Sequence, residues 1–307
     1  MIRTENLTRK FGNVVAVENL TLDVRKGEVF GFIGPNGAGK TTTVRMLCCL
    51  IAPTEGTAFI GDYEINRDPD SLNIRQMVGL LPESPGLYER LSPYRNLDFF
   101  AQLYGVPRAK REERIKDLLQ MLNMWKKRDE PVGTFSKGMK QKIAIARALV
   151  HDPEILFLDE PTSGLDPRAA KTVRDFLSDL RREGRTIFLN THNLAEAERL
   201  CDRVALVNTK LVAVGSPDEL KRRYWKRTTQ VQLKAISPSI ISAVEALPFA
   251  KNVRTEDSKL LVDVGNPEED NSMLAQTILA AGGKIQFISE MERTLEDVYL
   301  KLIGGDS

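Results

Sequence analysis

Eight consecutive residues, Gly34-Pro35-Asn36-Gly37-Ala38-Gly39-Lys40-Thr41, restrict this chain more than any other feature of it. They match G-x-x-x-x-G-K-[ST], a loop that cradles phosphate. Gly34, Gly37 and Gly39 let the backbone turn through positive φ and bring its N–H groups close to an anion. Lys40 adds a mobile positive charge for the outer phosphates. The Thr41 hydroxyl is a hard oxygen ligand suited to Mg²⁺. The flanks agree with this reading. Residues 29–33 are apolar and strand-like, and a helix opening at Thr42 and running to residue 50 sets its N-terminus toward the phosphates. Strand, loop and helix in that order belong to an α/β sheet with a phosphorylated ligand at its edge.

Composition narrows the class. A chain of 307 residues has length for about two domains with a sizeable core. Its 44 basic and 42 acidic residues nearly balance, which is no nucleic-acid footprint, so no nucleic-acid partner is expected. Cys48, Cys49 and Cys201 make no disulfide framework and read as reduced thiols in a cytoplasmic protein. Residues 1–10 lack the apolar core of a signal peptide, and no apolar run approaches the ~20 residues of a membrane span. A role at a membrane therefore runs through a partner.

Along the chain, residues 2–24 alternate apolar and polar as half-buried strands do, interrupted at Phe11-Gly12. Phe11 is either an ordinary turn aromatic or a flat face for a base. Residues 57–60 and 77–81 read as strands, the second ending at Pro82-Glu83. Residues 84–151 are helical in character. Ser92-Pro93 starts a helix that Gly105 stops, residues 108–125 form an amphipathic helix, and Ser136 begins a third. The runs 155–158 and 186–189 are continuously apolar, as strands covered on both faces are. They end in Asp159-Glu160 and Thr191-His192, with a helix capped by Asp166 between them. Strands at 204–207 and 211–214 and a helix opening at Ser216 follow. The basic run Lys221, Arg222, Arg223, Lys226 and Arg227, with Tyr224 and Trp225 inside it, is a solvated helix end or a contact for acidic lipid head groups.

After residue 227 the pattern restarts as strand, helix, hairpin across Glu256-Asp257-Ser258, helix and strand, the β-α-β-β-α-β order of a ferredoxin-like domain. A final helix over residues 295–302 is capped by Thr294 and stopped by Gly304-Gly305. The expected organisation is a domain of residues 1–227, with a helical subdomain at 84–151, and an α+β accessory domain of residues 228–307.

Four buried strands thus end in something chemically useful: the phosphate loop, Glu83, Asp159-Glu160 and His192. In open α/β sheets, ligands bind outside the carboxyl ends of the strands. Asp159 is placed to hold Mg²⁺, Glu160 to orient and deprotonate a water, and His192 to bond the γ-phosphate or that water. His151, in a loop before a strand, is read as structural.

With these residues the chain resembles the ATP-binding subunit of an ABC transporter over about residues 2–224. Phe11 sits where the family has its adenine-stacking aromatic, and Glu83 falls at the Q-loop position. Phe135-Ser136-Lys137-Gly138-Met139 is similar to the signature motif, Ser163-Gly164-Leu165-Asp166 to the D-loop, and His192 to the switch histidine. Glu83, Lys137 and Met139 depart from the usual glutamine, glycine and glutamine. Phe135, Lys137 and Met139, with the tail Met291-Glu292-Arg293-Thr294-Leu295-Glu296-Asp297-Val298-Tyr299, resemble an export branch whose permease is a separate membrane protein.

The resemblance implies a P-loop NTPase fold with an N-terminal antiparallel β subdomain. It implies ATP and Mg²⁺ as cofactors. The nucleotide set is Phe11, Gly34, Pro35, Asn36, Gly37, Ala38, Gly39, Lys40, Thr41, Thr42, Ser136 and Gly138; the metal set is Thr41, Glu83 and Asp159; the catalytic pair is Glu160 and His192. Its partners would be an integral-membrane permease and a second copy of itself or a related subunit, on the cytoplasmic face of the membrane. The competing reading is a soluble ABC ATPase acting on ribosomes or DNA. Such proteins usually carry two cassettes or a long coiled-coil insertion, and this chain has one phosphate loop and no such insertion. The transported substrate has no signature here.

Overall fold

The computed structural model describes residues 1–303. The chain divides into two compact units, Met1–Pro217 and a second that starts at Asp218. In chain order the first holds β1 (Ile2–Phe11), β2 (Val14–Val24), β3 (Val29–Ile33), α1 (Lys40–Leu47), β4 (Glu55–Ile60), β5 (Tyr63–Glu64), α2 (Asp70–Met77) and β6 (Val78–Leu81). There follow α3 (Pro93–Leu103), α4 (Arg108–Met121), α5 (Lys137–Leu149), β7 (Ile155–Asp159), α6 (Pro167–Arg182), β8 (Thr186–Thr191), α7 (Leu194–Leu200), β9 (Arg203–Asn208) and β10 (Lys210–Gly215).

These make an antiparallel sheet ordered β2-β1-β4-β5 and a six-stranded sheet ordered β10-β9-β3-β8-β7-β6. In the second sheet all neighbours run parallel except β10 against β9. Every residue of β3, β7 and β8 is buried, which is why those segments read as unbroken apolar runs. Phe188 anchors this layer, with ring centroids 5.8, 5.3 and 5.4 Å from those of Phe30, Phe32 and Phe157. Burying a ring of this size stabilises by about 1.5–3 kcal/mol. Register then fixes the site, because Ile33 pairs with Thr191 and Asp159 with Asn190. The ends of β3, β7 and β8 therefore lie side by side.

The helical stretch follows its capping signals. Ser92 accepts from the Arg95 N–H and Ser136 from the Met139 N–H, and the Asp166 carboxylate accepts from the N–H groups of Arg168 and Ala169. The helix expected over residues 108–125 is shorter. α4 ends at Met121 because Asn123 turns left-handed at φ 57°, and Trp125–Lys127 forms a separate 3₁₀ turn. α2 has no readable periodicity, since Ile74 is its one buried residue.

The second unit opens with α8 (Pro217–Tyr224) and continues through β11 (Thr228–Leu233), α9 (Pro238–Glu245), β12 (Lys251–Glu256), β13 (Lys259–Asp263), α10 (Pro267–Ala280), β14 (Ile285–Glu290) and α11 (Leu295–Ile303). Its sheet is ordered β12-β13-β11-β14 with every pair antiparallel, the ferredoxin-like arrangement. Val231, Leu233, Ile240, Val244, Leu260 and Leu274 form its core. Thr294 does cap α11, its hydroxyl accepting from the Asp297 N–H at 3.2 Å. The stop assigned to Gly304-Gly305 lies outside the described residues.

Candidate active site

The loop between β3 and α1 is shaped by what its glycines allow. Gly39 has φ 87°, and a Cβ there would sit 2.1 Å from the Ala16 carbonyl oxygen. A Cβ on Gly34 would sit 2.2 Å from the Val207 carbonyl oxygen. The loop is thus wedged between β2 and β9, with no room for a side chain at either point. Pro35, Asn36, Gly37 and Ala38 form its turn, and the Thr209 N–H donates to the Ala38 carbonyl at 3.2 Å. Lys40 begins α1 and folds back, its ammonium donating to the carbonyls of Gly34 at 2.9 Å and Pro35 at 3.1 Å. Burial lowers its pKa, while the carboxylates of Glu160, Asp159 and Glu83 act the other way. Thr42 follows on the first turn of α1.

Opposite the loop, the Asp159 carboxylate is held from two sides. Thr41 Oγ1 donates to Oδ2 at 2.9 Å and Asn190 Nδ2 to Oδ1 at 2.5 Å. Burial raises the Asp159 pKa, with Glu160 and Glu83 adding to the rise and the two donors opposing it. Among the described residues no three carboxylate, imidazole or thiolate groups are gathered as a metal cage. Thr41 and Asp159 instead supply two adjacent hard oxygens. That donor set suits Mg²⁺, which keeps waters and takes its other ligands from phosphates. Glu83 is exposed at the end of β6 and within electrostatic reach of Asp159 and Lys40, but no hydrogen bond among the described residues joins it to either.

Glu160 leaves the sheet in a left-handed conformation, φ 50°, while its N–H still donates to the Asn190 carbonyl at 2.9 Å. Its carboxylate meets the end of β8. Oε1 accepts the His192 backbone N–H at 2.9 Å and lies 2.7 Å from His192 Nδ1; Oε2 accepts from Thr191 Oγ1 at 3.3 Å. The carboxylate is an acceptor, so Nδ1 carries the proton. The Glu160 side chain is largely buried, at 13% exposure, and that of His192 is 60% exposed. The structure therefore brings together the loop, Thr41, Asp159, Glu160 and His192.

Three other candidates lie apart from these contacts. Phe11 ends β1 in the hairpin that packs on Gly39, is 46% exposed, and carries the Arg9 guanidinium 4.5 Å from its ring centroid. Ser136 and Gly138 open α5, with a Gly138 Cβ position 2.8 Å from the Ala169 side chain. No hydrogen bond among the described residues joins either to the phosphate loop. His151 is structural, as expected. It stacks on Tyr104 at 3.7 Å, gives its Nε2–H to the Val78 carbonyl, and is pushed down to a pKa of about 4 by burial.

Several supports escaped the sequence reading. Asn190 is fully buried and holds Asp159. Gln141 donates to the Pro161 carbonyl at 2.9 Å, tying α5 to the residue after Glu160. Thr162 donates to the buried Glu196 at 2.7 Å, linking that same turn to α7. Asn190 is a polar residue inside a wholly buried strand, which was its one available signal.

Residues 17–163 match the ABC transporter family, and residues 215–303 match the C-terminal domain of ATP-binding protein DrrA1-3-like proteins. Over its whole length the chain is 39% identical to the Nod factor export ATP-binding protein I of Cupriavidus metallidurans, covering 98% of that relative. It is 34% identical to the bacitracin transport ATP-binding protein BcrA of Bacillus licheniformis, over 99% of this chain and 98% of the relative. It is also similar to the dimeric post-hydrolysis structure of the ATP-binding cassette MJ0796 bound to ADP and Pi, with TM-score 0.65 and 26% identity over 70% of this chain and 98% of that one. Loop, paired carboxylates and histidine at one sheet edge, with relatives matched end to end, place the chain in the ABC transporter family as an ATP-binding, ATP-hydrolysing subunit.

Proposed function

We propose that this subunit hydrolyses MgATP at the interface of a dimer and drives a separate membrane permease in export. The observation that carries the catalytic part is the Glu160–His192 contact at 2.7 Å beside the Thr41–Asp159 pair at 2.9 Å. Phosphate oxygens of ATP would take over the Lys40 ammonium from the Gly34 and Pro35 carbonyls. Thr41 and Asp159 would hold Mg²⁺, with Glu83 reaching it directly or through water. The ion's chemistry is to neutralise charge on the β- and γ-phosphates. Glu160 is the general base. Its carboxylate is aimed by the His192 and Thr191 donors, so a water between it and the γ-phosphate gives up its proton there. With Nδ1–H committed to Glu160, a neutral His192 presents Nε2 on the γ-phosphate side as an acceptor for the attacking water. Phe11 stacks the base, its other face braced by Arg9.

One chain has one phosphate loop and one Ser136–Gly138 segment, which no hydrogen bond among the described residues joins. A second copy, or a related subunit, would supply that segment in trans, and the dimeric MJ0796 cassette supports this. No helix among the described residues is long and apolar enough to cross a membrane, so a permease supplies the path. The export name of the Nod factor relative favours outward transport. The permease would dock where Tyr88 and Phe99 stand 49% and 39% exposed in edge contact at 5.2 Å. Asn96 fixes that loop from beneath, exchanging hydrogen bonds with the Tyr88 backbone. The ATPase function is assigned to the first unit, Met1–Pro217, and the unit that starts at Asp218 is accessory.

Glu160→Gln tests the catalytic reading. It should lower ATP turnover by about 10²–10⁴-fold while MgATP still binds. Hydrolysis near the wild-type rate on the same preparation would reject Glu160 as the base.

A further inference from the structure

The basic run that spans the end of α8 forms one side of a cleft. Arg222 and Lys226 from that run, and Lys251 from the start of β12, rim a cleft of about 540 Å³ in the second unit. Trp225, Phe249 and Val264 line it with apolar surface. These residues come from three separate stretches of chain, so the cleft is a product of the fold rather than of local charge density.

Arg227 is consumed by the carboxylates of Glu268 and Glu290 at 2.8 and 2.6 Å. Lys221 pairs with Asp218 at 2.8 Å. Asp263, the one carboxylate in the lining, accepts from Thr228 Oγ1 at 2.7 Å and Asn252 Nδ2 at 2.9 Å, with Arg254 3.7 Å away. Arg222, Lys226 and Lys251 are exposed and, among the described residues, ion-paired with no carboxylate, although Arg222 feels Glu268 and Glu290 from further off.

Trp225 is held by two cations. The Arg293 guanidinium and the Lys301 ammonium lie 4.2 and 4.5 Å from the Trp225 ring centroid, and Lys301 also donates to the Tyr224 carbonyl at 2.7 Å. The indole N–H is buried without a partner among the described residues. A buried donor of that kind is costly unless a ligand or water meets it.

We propose that this cleft binds the head group of an acidic phospholipid. Uncommitted cations take the phosphate, and the Trp225–Phe249 wall takes the glycerol and the first methylenes. An inorganic anion would use only half of this chemistry. Cations interleaved with aromatics are what an anionic membrane surface attracts. The inference stands apart from the ATPase reading, because lipid binding is measured without nucleotide.

The full chain should sediment with phosphatidylcholine vesicles that contain phosphatidylglycerol and not with phosphatidylcholine alone. Lys226→Glu and Lys251→Glu should each weaken that binding about tenfold. Arg223→Glu reverses an exposed charge in the same run that does not line the cleft, and should change binding little. In a Trp125→Phe background, Trp225 fluorescence should saturate with dihexanoyl phosphatidylglycerol and stay unchanged with inorganic phosphate. No preference for acidic vesicles would overturn the proposal. An Arg223→Glu effect equal to that of Lys226→Glu would reduce it to diffuse attraction and reject the cleft. Saturation by phosphate alone would show an anion site rather than a lipid site.

Discussion

Lys40 and His151 show how burial sets the behaviour of single groups in this protein. The Lys40 ammonium is held by two carbonyls of its own loop. It is a charge kept ready, and its removal should act on binding before anything else. Lys40→Ala should weaken ATP affinity by about 10- to 150-fold, the range for one charge-assisted hydrogen bond. Equilibrium titration with a fluorescent ATP analogue measures this, and unchanged affinity would make the loop decorative. His151 works in the opposite sense, because the fold holds it neutral. Its pKa falls from 6.5 to about 4, chiefly through burial. As pH drops through that window the unfolded chain takes up a proton that the folded chain refuses, so the fold loses stability, and the loss is complete below the folded pKa. The thermal midpoint should therefore fall more steeply between these pH values in the wild type than in His151→Gln. Parallel curves would show that His151 does not carry the effect.

At the scale of elements, capping and register explain both what the sequence revealed and what it hid. The loop at residues 34–41, the Ser92, Ser136 and Asp166 caps and the buried run ending in Asp159-Glu160 are local patterns, legible because each cause lies within a few residues of its effect. Asn190 was missed because its role depends on pairing with Asp159 across β7 and β8, and register between parallel strands is not written in either strand alone. Gln141 and Glu196 were missed for a related reason: each reaches across from another element to the turn at Pro161-Thr162. α4 is shorter than its pattern suggests because Asn123, which carries no strong stop signal in sequence, turns left-handed at φ 57°. The Ser136 end of α5 also bears the clearest test of the proposed dimer. Ser136 is exposed and caps its helix with a weak 3.4 Å contact, so a bulky cation there disturbs the fold little. Ser136→Arg in the Glu160→Gln background should leave ATP binding by the single chain intact and abolish its ATP-dependent dimer. Light scattering reads the outcome, and a dimer that survives the substitution would remove Ser136 from the interface.

At the scale of the molecule, the second unit is a complete fold that contains none of the phosphate-loop or carboxylate residues. Its nine-residue core cluster is entirely its own. Leu295 and Val298 of α11 are fully buried, while Leu300 stays 56% exposed. At this size a core is barely sufficient alone, which gives such a unit reason to gain surface from a neighbour. The place to cut is set by contacts rather than by the restart of the strand pattern after residue 227. Trp225 is clamped by Arg293 and Lys301, and Arg227 by Glu268 and Glu290, so a chain ending after Arg227 would keep both residues and lose everything that holds them. A chain ending at Pro217 strands neither. That truncation keeps the Thr41–Asp159 and Glu160–His192 contacts, so ATP should bind with affinity close to that of the full chain. If the second unit tunes the ATPase, the turnover rate or the ATP-dependent dimer of the Glu160→Gln protein should shift on its removal. Equal turnover, equal dimerisation and equal permease-stimulated rate in the two forms would show that the unit serves something other than the ATPase cycle.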